Sequence, residues 1–145
     1  MKIAFSAKHK KIFQQMGIQT IYLFGSQANG TAHSLSDVDF GVVLKEPQRY
    51  QNKTLELYLK LYEIFSDALP KDYLRRRFQL KGHEFDIVFL QFVPVYLQFE
   101  AATNGKVLYE NCKESTLDYK EKVSKMFCDL QYFYNISRQG MLERI

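Results

Sequence analysis

Residues 18–24, IQTIYLF, then 25–36, GSQANGTAHSLS, then 37–44, DVDFGVVL, decide how the rest of the chain is read. The first stretch is β-branched and aromatic and predicts a strand from Ile18 to Phe24 that stops at Gly25-Ser26. The second is small and polar, with a turn-forming Asn29-Gly30. The third alternates: Val38, Phe40, Val42 and Leu44 fall on one face by the period of two, and Asp37, Asp39 and Gly41 on the other. It is a strand with a core face and a face that carries two carboxylates.

The chain outward from that stretch alternates helices and strands. Ser6 is placed to cap a helix to about Met16, stopped by Gly17, with Ile12, Phe13 and Met16 as a thin apolar side. Past Pro47, residues 50–69 carry the strongest helical periodicity, with Leu55, Tyr58, Leu59, Tyr62 and Phe65 as the expected apolar side and Glu56–Lys60 as an i, i+4 pair. Pro70 ends it. HEFDIVFL, 83–90, predicts a strand with Phe85, Ile87 and Phe89 on one face and Asp86 on the other. Pro94 opens a helix to about Thr103, KVLYE (106–110) is a short strand, and a helical pattern runs from Ser115 toward Tyr134. No internal repeat or linker divides the 145 residues, which predicts one domain over 1–145.

Composition removes several classes of protein. Leu, Ile, Val and Phe make up 44 residues, too many for a disordered chain, and seven Gly with three Pro exclude a low-complexity one. Net charge is +4, which suits a polyphosphate ligand and a nucleic acid equally. Cys112 and Cys128 form no CxxC and no Cys/His cluster, so a zinc site and a disulfide scaffold are not expected. No signal-peptide core opens the sequence, and its longest apolar run, 87–99, falls short of a membrane span. A soluble, cytoplasmic protein is expected, with no membrane partner. His9 and His83 have no arrangement that suggests a ligand role.

Asp37, Asp39 and Asp86 each interrupt an apolar strand. If their strands are neighbours, three carboxylates converge and repel unless cations neutralise them, and such hard oxygen ligands suit Mg²⁺ beside a substrate phosphate. A lone Asp-x-Asp is more often a solvated pair. The Gly25-Ser26 turn changes that weighting. A strand ending in Gly-Ser and turning toward a helix presents backbone N–H groups, a hydroxyl and a positive dipole end to an anion. Gly-Ser, ten residues, then Asp-x-Asp arises by chance at ~10⁻⁵ per starting position.

Those residues carry a resemblance. GSQANGTAHSLSDVDFGVVL is similar to the signature of the DNA polymerase β-like nucleotidyltransferases, and most of all to the minimal nucleotidyltransferase (MNT) antitoxins of HEPN–MNT toxin–antitoxin pairs. Gly25, Ser26, Ala28, Gly30, Ser36, Asp37 and Asp39 match, and HEFDIVFL matches the strand of the third carboxylate, with Asp86 in place. NGKVLYEN and LDYKEKV resemble the last strand and helix more loosely. Gln27 and Asn29 stand where the family usually has arginines, which removes two cations from beside a triphosphate.

The resemblance implies an α/β fold, a short mixed sheet flanked by helices. It implies two Mg²⁺ ions held by Asp37, Asp39 and Asp86, with Gly25, Ser26, Gly30 and Ser36 at the nucleotide. It implies transfer of AMP from ATP to a tyrosine hydroxyl of a partner HEPN ribonuclease toxin, without direct binding of nucleic acid. The alternatives are an antitoxin that acts by contact alone and an aminoglycoside-type small-molecule nucleotidyltransferase, for whose usual second domain 145 residues leave little room. Apolar residues on several sides of the C-terminal helix (Tyr119, Met126, Phe127, Leu130, Phe133, Tyr134) predict a partner-docking segment over about 115–145.

Overall fold

The computed structural model describes residues 3–25, 38–69 and 85–143. Helix α1 (Ala7–Gln15) starts at Ser6, whose side chain accepts a hydrogen bond from His9 N, and ends before Gly17, which has a φ of +75°. Strands β1 (Ile18–Phe24) and β2 (Val38–Leu44) follow, then a 3-10 turn (Pro47–Tyr50) and α2 (Thr54–Ala68). Next come β3 (Phe85–Phe89), a 3-10 turn (Leu90–Phe92), α3 (Val95–Asn104), β4 (Lys106–Glu110) and α4 (Lys113–Glu143).

The four strands form one mixed sheet in the order β3-β2-β1-β4. β1 runs antiparallel to β2 and β4, and β2 runs parallel to β3. The face bearing Val38, Phe40, Val42 and Leu44 packs on α1 and α2, as the alternation predicts. Aromatic rings hold this layer together: Phe40 stacks on Phe65 at 4.3 Å, and Phe5 meets Phe13 edge-on at 4.9 Å.

The opposite face is not the open face that alternation alone suggests. Tyr22, Phe24 and Val43 are buried there with Leu90, Ala101, Tyr119 and Val123, under α3 and the first half of α4. Six of the seven β2 residues are therefore buried, and Asp39 alone is half-exposed. Polar contacts anchor the second layer. Thr20 and Thr116 share a buried hydrogen bond of 3.1 Å, Tyr119 Oη donates to Gln98 Oε1 at 2.9 Å, and Gln98 Nε2 donates to Val93 O.

Two helices differ from the sequence reading. α2 buries Leu57, Leu61, Ile64 and Phe65, whereas Leu55 and Leu59 point outward and Tyr62 lies at the margin against Phe85. Of the expected apolar side, Phe65 is buried and Tyr58 packs against the core, while Leu57, Leu61 and Ile64 complete the buried stripe in place of Leu55 and Leu59. α4 does not stop near Tyr134 but continues unbroken to Glu143, and only Thr116, Tyr119 and Val123 of its 31 residues are buried. No helix among the described residues is long and apolar enough to cross a membrane, and both cysteines are free and exposed.

Candidate active site

Parallel pairing sets Asp39 on β2 directly opposite Asp86 on β3. Laterally paired residues share a face, so both carboxylates rise from the α3/α4 side of the sheet on strands about 4.8 Å apart. Neighbouring antiparallel pairing sets Phe24 on the other flank of Asp39. The buried Phe24 ring and the turn at Gly25 strip water from one side of Asp39. Burial first, and then the charge of Asp86, raise the Asp39 carboxyl above its ordinary value. Asp86, at the sheet edge, is exposed.

Gly25 ends β1 with a φ of +80°, a left-handed turn that glycine makes without steric cost. The Asp39 carboxylate occupies the space next to Cα of Gly25. Among the described residues neither acid has a hydrogen-bond or salt-bridge partner. Two adjacent carboxylates with no partner among the described residues, one of them partly desolvated, are an unfavourable arrangement in the absence of a cation. Their hard oxygen donors at the mouth of a turn suit Mg²⁺.

Of the expected site residues, the structure brings together Gly25, Asp39 and Asp86. Ser26, Gly30, Ser36 and Asp37 lie outside the described residues, as do Gln27 and Asn29. Phe24 was not singled out by its sequence context. Its place beside Asp39 follows from the β1–β2 register, which the polar stretch between the strands hides.

Residues 7–114 match the family described as polymerase beta nucleotidyltransferase. The chain belongs to that family. The protein adenylyltransferase MntA of Aphanizomenon flos-aquae is 27% identical to this nucleotidyltransferase over 106 residues, which are 73% of this chain and 66% of that protein. Among solved structures, a toxin–antitoxin with AMP-PNP aligns with a TM-score of 0.56 at 21% identity, covering 94% of this chain and 99% of the other. A complex of a tri-AMPylated Shewanella oneidensis HEPN toxin with its MNT antitoxin aligns with a TM-score of 0.51 at 19% identity, over 93% of each chain. At these identities the likeness is one of fold, and it bears out the α/β architecture and mixed sheet expected of an MNT-like nucleotidyltransferase.

Proposed function

We propose that this nucleotidyltransferase is an antitoxin that transfers AMP from ATP to a tyrosine hydroxyl of a partner HEPN toxin. The observation that carries the reading is the side-by-side placement of Asp39 and Asp86 at the Gly25 turn. The similarity to an MntA adenylyltransferase supports AMP as the group and a protein as the acceptor.

In this reading Asp39 and Asp86, with Asp37, hold two Mg²⁺ ions. The chemistry supplied there, with the metal bound, would be neutralisation of charge on the triphosphate and on the pyrophosphate. Gly25, Ser26, Gly30 and Ser36 bind the phosphates through backbone N–H groups and hydroxyls. The phenolic oxygen attacks the α-phosphorus, the bond from that phosphorus to the bridging oxygen breaks, and pyrophosphate leaves with the electron pair. The phenolic proton passes to the Asp86 carboxylate. The division of labour follows exposure: Asp86 faces solvent, from which the acceptor arrives, and Asp39 is the desolvated member of the pair.

The test is intact-mass spectrometry of a HEPN toxin after co-expression with this protein. One or more added adenylyl groups are expected with the wild type and none with Asp39→Asn. The replacement of the usual arginines by Gln27 and Asn29 favours a second reading, neutralisation by contact alone. That reading takes over if the toxin is silenced without a mass change.

A further inference from the structure

The last thirteen described residues, Gln131–Glu143, continue α4 beyond the body of the protein by roughly 20 Å. Every large side chain there is exposed: Tyr132 70%, Phe133 63%, Tyr134 57%, Ile136 51%, Met141 68% and Leu142 63%. The overhang has two charged residues, Arg138 and Glu143, whereas the first thirteen of α4, Lys113–Lys125, have seven. Depletion of charge with enrichment of Tyr, Phe and Met is the composition of an interface centre.

The apolar residues do not lie on one side. Tyr134 and Met141 continue the line of Thr116, Tyr119 and Val123, the stripe that α4 buries on its own body. At 100° per residue Tyr132 and Ile136 lie nearly opposite that line, and Phe133 and Leu142 lie on the two flanks. Apolar side chains on more than one side of a helix exceed what a single packing face needs. Six such side chains offer on the order of 600–700 Å² of apolar surface, close to the ~800 Å² that each side of a stable interface contributes. A second copy of the overhang lying alongside covers one seam and leaves the opposite side wet.

We infer that Gln131–Glu143 is the docking element and that it inserts between at least two helices of a helical partner, into an apolar groove of low charge. Naming that partner as the HEPN toxin rests on the proposed function. The interface is the distal part of the segment expected from the sequence, because residues 113–125 are committed to the protein's own second layer.

The base of the overhang also fixes where the partner sits. Met126 and Val123 share a cavity of about 380 Å³ with Leu44, Lys45 and Pro47 at the C-terminal end of β2. Asp39 is near the other end of that strand, about 17 Å away. On this inference the helix that carries the docking element is rooted near the opposite end of β2 from the acid pair.

The experiment compares the wild type with two double variants, Tyr132→Glu/Ile136→Glu and Tyr134→Glu/Met141→Glu, for binding to the HEPN toxin that the wild type modifies on co-expression. Both variants are expected to melt as the wild type does and to bind at least about thirtyfold more weakly. Transfer from ATP to a short tyrosine peptide is expected to be unchanged. Loss from only one variant, or from neither, overturns the groove, as does a dimer of the free protein that the same variants dissociate. Should the variants misfold, hydrogen exchange on the wild type decides: protection of residues 131–143 by the toxin supports the inference and unaltered exchange overturns it. Binding through the overhang without nucleotide transfer defeats the proposed function alone. Transfer by the wild type with undiminished binding by both variants defeats this inference alone.

Discussion

A β-carbon on Gly25 would lie 2.6 Å from Asp39 Oδ2, so the empty side of the glycine is the room in which the carboxylate sits. Gly25→Ala meets that clash and a φ of +80° together. The unfavourable backbone conformation alone costs about 1–2 kcal/mol. The displaced carboxylate is expected to slow nucleotidyl transfer by about a hundredfold. Thermal melting and transfer rate measured on the same preparation check the two effects. A rate near wild type would show that the carboxylate can relocate.

Asp39→Asn is expected to abolish transfer and yet leave the metal-free protein at least as stable as the wild type. The sign follows from the raised carboxyl. A group with a folded-state pKa above its unfolded value favours folding most when protonated, and that contribution is lost as pH rises through the folded value. At neutral pH the wild type bears the cost of a charged, partly desolvated Asp39 beside Asp86. The amide does not, and its advantage is expected to fade on acidification. Added Mg²⁺ is expected to raise the melting temperature of the wild type more than that of the variant. Melting curves at pH 4 and pH 7, with Mg²⁺ and with chelator, measure both.

Two buried phenols give the fold an alkaline limit. Burial, then Glu110, push Tyr22 up to about 12, and burial, then Tyr22, raise Tyr119. Their stabilisation is fully present below pH 10 and is lost as pH climbs toward 12 and beyond. The two differ in what replacement does. Tyr119→Phe strands Gln98 Oε1 and is expected to cost about 1–2 kcal/mol. The Tyr22 hydroxyl is buried without a partner among the described residues, so Tyr22→Phe is expected to be neutral or stabilising. Denaturant titration of the two single variants separates them.

Gln91 supplies both halves of a strand contact from one side chain. Its Oε1 accepts from Leu44 N at 3.0 Å, and its Nε2 donates to Leu44 O at 2.7 Å, just where β3 gives way to a 3-10 turn. Gln91→Ala is expected to cost about 1–2 kcal/mol. It is also expected to speed hydrogen exchange at the Leu44 amide while the Asp39 end of β2 stays protected.

Much of this was written locally in the chain. Ser6 and Gly17 bound α1, Pro94 opens α3, and Phe85, Ile87 and Phe89 lie on a core face with Asp86 opposite, because caps, proline and alternation act over a few residues. What could not be read depended on distant partners. Val43 and Tyr22 are buried by helices that come much later in the chain, so β2 lost the open face its alternation implied. Leu55 and Leu59 matched a helical stripe as well as Leu57 and Leu61 did, and only the position of the sheet chose between them. In the site, the facing of Asp39 and Asp86 was legible strand by strand, but their direct opposition and the flanking Phe24 needed the registers.

Parallel neighbours cannot be joined by a tight turn, and β2 and β3 are separated by a long crossover that includes α2. Asp39 and Asp86 are 47 positions apart, so their meeting is a non-local contact that requires closure of that crossover. A chain still emerging from the ribosome can pair Phe24 with Asp39 while it has only part of the acid cluster. On the proposed reading, a chain that ends before β3 lacks Asp86 and is expected to show no transfer.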